Sequence, residues 1–224
     1  MAQSVWSEEQ ALAAQIDAQL RALPLDNTPN QRTLRRKYSR YLREAPGEFV
    51  LDVARELILR YDRWMVACEL VRHHPEAFQL VDATVLEDLG RGIRSWGTVD
   101  CFARTLAGPA WLRGQIGDER IHQWARSESR WWRRAALVST VAWNVRSKGG
   151  PGDVPRTLAV CRLLVDDHDD MVVKALSWAL RELVAHDSQA VRDFLQAHSD
   201  ALAARVQREV TNKLETGLKY PRRT

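Results

Sequence analysis

The sequence is short of several things at once. No apolar run approaches the roughly 20 residues that a membrane-spanning helix needs, so no membrane association is expected. The opening residues, Met1 to Gln10, carry no basic stretch followed by an apolar one, so no secretory leader is expected. With 11 Gly and 8 Pro in 224 residues, a β-rich or disordered chain is not indicated. The three cysteines, Cys68, Cys101 and Cys161, lie far apart within apolar helical pattern. They read as reduced core thiols of a cytoplasmic protein, not as a disulfide framework or a ligand set. A glycine-rich phosphate loop, a zinc motif and a nucleophile elbow are all missing, so neither cofactor nor metal is expected. The run Asp166-Asp167-His168-Asp169-Asp170 has the composition of a metal cluster. It stands where a helix should open before Val172-Val173-Lys174, and capping with an acidic first turn explains it.

What the chain does contain is helix after helix. Hydrophobic residues make up 45% and charged residues 28%, as in an ordinary globular protein. At this length one domain over residues 1–224 is expected. Ser7-Glu8-Glu9-Gln10 is a capping box opening a helix to about Ala22, and Thr28-Pro29 starts a second one to about Leu42. Further helices are expected over 48–60, 62–73, 81–94, 96–106, a short one from Asp118, then 130–143, 154–165, 169–186, 188–197 and 200–215. Asp169, Asp187 and Ser199 have the character of N-caps. Ser147 to Gly152, rich in glycine, is the one evident flexible loop.

Two runs about forty residues apart share a register. In Arg130-Trp131-Trp132-Arg133-Arg134-Ala135-Ala136-Leu137 and in Val172-Val173-Lys174-Ala175-Leu176-Ser177-Trp178, Arg134 aligns with Lys174, Ala135 with Ala175 and Ala136 with Leu176. A period near forty with alanine at a tight helix crossing suits stacked HEAT-like helix pairs. The fold class expected is therefore all-α, a helical repeat solenoid whose short connections make neighbours antiparallel and whose stack curves into a concave face.

Net charge is +4, which says little by itself. Its distribution says more: between Arg120 and Lys148 six Arg and one Lys face a single acid, Glu128, and the tail from 217 to 224 is again basic, with Lys219, Arg222 and Arg223. A solvated helix face is the plain alternative. Because Arg133 and Arg134 alternate with Trp131 and Trp132, a polyanion surface is favoured.

A third element is Ser95-Trp96-Gly97-Thr98-Val99-Asp100, in which Trp96 and Asp100 share a helix face. Alone it is compatible with a half-buried Trp beside a capping acid. In order along the chain, Trp96-x-x-x-Asp100, Trp131-x-x-Arg134-Ala135-Ala136 and Lys174-Ala175-x-x-Trp178-x-Leu180-Arg181-Glu182 resemble the AlkD-like family of DNA alkylation repair glycosylases. The likeness covers roughly residues 48–210. It implies a HEAT-like stack gripping double-stranded DNA that contains alkylated purines, with Asp100 as the catalytic carboxylate and Trp96 and Trp178 as aromatic walls beside the lesion's deoxyribose. Arg134 matches an arginine on the neighbouring phosphate backbone, and Lys174 and Arg181 take supporting DNA contacts with Arg133 and Trp131. The family acts on the sugar from outside the base stack. Residues 1–45 match poorly: where the family has an aromatic and basic segment, this chain has Leu23 to Arg32.

The chemistry is coherent without the resemblance. A purine alkylated at N3 or N7 is cationic and departs as a neutral base, so no strong general acid is required. The demand is for a carboxylate that stabilises the positive charge growing on the deoxyribose and orients water. Tryptophan faces add to this. The function expected is a monofunctional glycosylase, monomeric, cytoplasmic and nucleoid-associated through DNA. A non-catalytic HEAT-like protein that binds damaged or branched DNA would share the basic surface, and a protein-binding scaffold would use the tryptophans as core.

Overall fold

The structure is a computed structural model that describes residues 6–221; Arg222 and Arg223 of the basic tail lie outside the described residues. It is all-helical, with no strand among the described residues, which is the fold class expected. No helix is long and apolar enough to cross a membrane among the described residues. Within the span read as one domain, the chain forms two compact units, Met1–Ile93 and Arg94–Thr224.

The first unit holds α1 (Glu8–Arg21), α2 (Thr28–Tyr41), α3 (Gly47–Leu59), α4 (Trp64–His73), the short α5 (Pro75–Gln79) and α6 (Ala83–Gly90). The capping box at Ser7 and Gln10 forms as expected. Asn27 caps α2, with Pro29 in its first turn. α3 is the central helix, packed on α1, α4 and α5 through Val50, Val53, Ala54 and Leu57, all fully buried.

The second unit carries every residue expected at the site. It opens with α7 (Trp96–Phe102), widens into a π-helical stretch (Ala103–Ala107) and continues as α8 (Gly108–Leu112). The sequence reading ends this helix at Leu106, before Gly108-Pro109. The structure carries the helix on, because the widened turn absorbs a proline that lacks an N–H and would crowd the carbonyl one turn back. Then follow α9 (Asp118–Ala125), α10 (Arg130–Asn144), α11 (Val154–Arg162), α12 (Asp170–Leu183), α13 (Ser188–Ala197) and α14 (Ala204–Thr216). Asp169 and Asp187 cap α12 and α13, as expected. Ser199 caps nothing: α14 begins only at Ala204, because Leu202 turns into the core and Gln207 binds the Ser199 and Leu202 carbonyls.

Within this unit α10, α12 and α14 lie side by side, and α9, α11 and α13 pack behind them. The α10–α12 contact is the most extensive of all, and Ala135, Ala136, Ala175 and Leu176 are buried in the unit's core. The two runs read in register thus lie on the most extensively packed pair of helices. On its other side α10 meets α8 through bare backbone. A Cβ on Gly108 would stand 2.6 Å from both Ala142 Cβ and Ser139 O, and the buried Trp143 donates from Nε1 to the Gly108 carbonyl at 2.8 Å. That clamp fixes the helical run carrying Asp100 against the helix carrying Arg134. The glycine-rich loop is tied down by Gly152 N to Trp143 O and Asp153 N to Asn144 Oδ1.

Candidate active site

Asp100 and Arg134 form a side-on pair across α7 and α10. Arg134 Nε donates to Asp100 Oδ1 and Nη2 to Oδ2, both at 2.8 Å, and Nη1 donates to the Met171 carbonyl at 2.5 Å, at the start of α12. Arg134 is 5% exposed. Three of the five guanidinium N–H bonds are therefore spent inside the protein, which fixes the fork as well as the carboxylate it holds. Asp100 keeps 17% of its side chain open to solvent.

Trp96 stands one turn before Asp100, at the start of α7, where Ser95 and Thr98 form a reciprocal cap. Its ring is 63% exposed, which takes it out of the core. Trp178, on α12, is half-buried; its Nε1 donates to Glu182 Oε1 at 3.0 Å and the Arg104 guanidinium stands 5.3 Å from its ring centroid. Arg104 belongs to the widened turn, so the same irregularity that carries the helix past Pro109 also brings a cation to Trp178.

The arginine–tryptophan run divides by helical position. Arg130 stacks over Trp131 at 5.0 Å near the surface. Trp132 packs against Phe102 and Trp124. Arg133 is turned onto the protein: Nε to Asp167 Oδ2 at 2.6 Å, Nη1 to the Ser127 and Glu128 carbonyls at 3.0 and 2.8 Å. It braces the loop ahead of α10. The acidic run before α12 is spent in the same way: Asp169 caps the helix and Asp170 receives Lys174 and Arg205, each at 2.6 Å.

Beside the pair opens a cleft of about 400 Å³ lined by Arg134, Lys174, Trp178, Arg181, Arg205, Glu209, Lys219 and Tyr220. Arg134 thus joins Asp100 to the cleft that Trp178 lines. The sequence reading had no role for Glu209, which is 2% exposed. It receives Ser177 Oγ at 2.6 Å, Tyr220 Oη at 3.1 Å and Lys219 Nζ at 3.3 Å, with Arg181 Nε at 3.9 Å. Burial pushes its carboxyl up, but the hydrogen bonds from Ser177, Lys219 and Tyr220 outweigh burial and hold it below the ordinary glutamate range. Arg181, also bonded to Ser177 Oγ at 3.2 Å, is shifted down, chiefly by burial. One signal was available: on the amphipathic α14, Glu209 sits on the buried stripe between Val206 and Val210, where a bare acid is costly without partners. Lys219 was legible only as a base of the tail and Tyr220 gave no signal, because their place depends on the chain reversal at Gly217.

Among the described residues no group of three or more His, Cys, Asp or Glu is disposed to hold a metal. None of the three cysteines is in a disulfide; Cys68 and Cys161 are buried, as expected, while Cys101 is half-buried.

A search of the curated proteins gives no match. A family model described as DNA alkylation repair enzyme matches residues 4–214, including the N-terminal stretch in which the motif resemblance was weakest. With nearly the whole chain matched, and with Trp178 and the arginine that grips Asp100 lining one cleft, this chain belongs to the DNA alkylation repair enzyme family.

Proposed function

We infer that this enzyme hydrolyses the N-glycosidic bond of cationic N3- and N7-alkylated purines in duplex DNA. The observation that carries the reading is the Asp100 carboxylate, gripped on both oxygens by a buried arginine and still open on one side, one turn from an exposed tryptophan. A preorganised carboxylate of this kind costs no reorganisation when charge develops on the sugar, which is where electrostatic catalysis gains most. Asp100 stabilises the cationic deoxyribose and orients the water that attacks it, while Trp96 and Trp178 offer ring faces to the charged lesion and sugar. The geometry favours Arg134 as the residue that positions Asp100, with only two of its N–H bonds left to reach a phosphate. The reading carries with it a monomer working on DNA in the cytoplasm, through a HEAT-like helical face.

Release of free 7-methylguanine or 3-methyladenine from alkylated duplex DNA, with heat-inactivated protein as control, tests it. Failure to release either base while binding the duplex would favour the second reading, a non-catalytic protein that binds damaged or branched DNA. One observation keeps that reading in play: both Asp100 oxygens are engaged, as a purely structural brace would have them.

A further inference from the structure

The cleft beside Trp178 carries more positive charge than the reaction at Asp100 uses. Five bases line it: Arg134, Lys174, Arg181, Arg205 and Lys219. Their acids are fewer and shared. Asp170 serves both Lys174 and Arg205, Glu209 serves both Lys219 and Arg181, and Asp100 serves Arg134. Even with Glu182, which acts on Arg181, the bases are in excess by one.

The two shared acids differ in strength of hold. Lys174, Arg205 and Asp170 are all more than a third exposed, and such bridges exchange readily for a better anion. Lys174 and Arg205 already converge on one carboxylate, a spacing that two oxygens of a phosphate can take over. Glu209 is the fixed end. The buried acid holds Lys219 and Tyr220, and the chain is turned to deliver them: Gly217 ends α14 at φ +73, where a side chain would be strained, and Asn212 Nδ2 donates to the Lys219 carbonyl at 3.1 Å. The segment after α14 is thus a built wall of the cleft. Trp178 and Tyr220 supply ring faces, and the volume exceeds what a bare phosphate needs, leaving room for the adjoining sugar.

We propose that this cleft is a subsite for one phosphodiester of the bound DNA, with Lys174, Arg205 and Lys219 as its ligands and Glu209 as the positioning residue that holds Lys219 in place. This rests on the reading that the enzyme acts on duplex DNA. The subsite sets which phosphate is gripped, and so the register of the lesion's sugar against Asp100.

The test pairs protein and DNA changes. Duplexes carrying a tetrahydrofuran abasic analogue are made with single phosphates replaced, one position at a time, by neutral methylphosphonate. Wild-type protein loses affinity about tenfold at one position near the analogue, the scale of one charge-assisted contact. The R205A/K219A variant shows no further loss at that position. Glu209→Gln loses the same coupling although Lys219 is still present, and Glu209→Asp restores part of it; a melting curve confirms that each variant is folded. If wild type binds the duplex and releases 7-methylguanine but no position is coupled to Arg205 and Lys219, the subsite is wrong and the enzyme reading stands. If Glu209→Gln keeps full coupling, Glu209 has no positioning role. If wild type neither binds duplex DNA nor releases base, both readings fall together.

Discussion

Each unit of the chain has a largely covered carboxylate gripped by arginine, and only one of the two has the makings of a site. In the first unit Glu69, 7% exposed, accepts from Arg32 Nε at 2.7 Å and Arg35 Nε at 3.0 Å, and ties α4 to α2. In the second, Asp100 takes a single arginine by both oxygens, ties α7 to α10, and adjoins a cleft with a tryptophan and four further bases. The comparison shows that a buried ion pair is weak grounds for function on its own. Glu69 takes one donor on each oxygen from two cations and is closed in. Asp100 is held by one and left partly open. What separates them is how open the acid is, 9% against 17% of the side chain, and the company it keeps.

Substituting the two acids makes the sharpest contrast. On the proposed glycosidic hydrolysis, Asp100→Asn removes the charge that the growing cation needs, so excision per folded molecule should fall about 10³-fold, roughly 4 kcal/mol in the transition state. The change is not structurally silent, because Arg134, 5% exposed, loses its counter-charge. Single-turnover rates therefore have to be normalised to the folded fraction from a melting curve. Wild-type rates in the Asn variant would remove Asp100 from catalysis. Arg134→Lys keeps a positive charge but not the fork. It should lower excision about 10²-fold. The slope of log K against log salt should be left nearly unchanged, since the phosphate contacts that set it remain. A slope reduced by about one unit would give Arg134 a phosphate contact of its own.

Glu69→Gln is the matching change in the first unit. It leaves Arg35, 9% exposed, without its charge partner, and should cost about 3 kcal/mol of stability. Excision per folded molecule should stay at the wild-type level, since no residue lining the cleft comes from that unit. Lost activity with an unchanged melting curve would mean that the contrast between the two acids has been drawn in the wrong place.

Much of this was legible in the chain. The caps at Ser7, Asp169 and Asp187 are local hydrogen-bond chemistry, and the two runs about forty residues apart fall on helices that do pack on each other. The Trp96–Asp100 spacing needed only helical geometry. What the sequence withheld depends on distant partners. The helix running through Pro109 needs the clamp of Gly108 on α10. Arg133 and Arg134 are adjacent bases in the sequence, yet one braces a loop and the other grips the site acid, because they point 100° apart around α10. Glu209 announced itself only as an acid on an apolar stripe, and its partners Lys219 and Tyr220 arrive by a left-handed turn.

The tryptophans should respond more mildly than the acids. Trp178→Ala and Trp96→Ala should each lower excision about 3- to 20-fold, the worth of a ring face to a cation. Trp96, exposed and at the edge of its helix, should do so without a change in melting temperature. Trp178 gives up its bond to Glu182 and the cation at its ring, so some stability goes with it. If Trp96→Ala left the single-turnover rate untouched, its exposure would have no bearing on the reaction.

The smallest expected effect is none at all. Neutral bases such as uracil and hypoxanthine need a proton or strong hydrogen bonds to depart, so their release requires a group that can give a proton near neutral pH. The buried carboxyl lining the cleft is Glu209, and it is the wrong kind. Its hydrogen bonds from Ser177, Lys219 and Tyr220 hold it below the ordinary glutamate range, so at pH 7 it is an anion with nothing to donate. Lowering the pH toward 5 should not recruit it, because a depressed carboxyl protonates only further down, where the cluster that orders the cleft also comes apart. Purified enzyme should therefore release 7-methylguanine and 3-methyladenine and leave uracil and hypoxanthine in place at pH 7 and at pH 5.5 alike. Uracil release that rose as the pH fell would identify a working acid in the site, and the charge of the lesion would no longer account for what the enzyme selects.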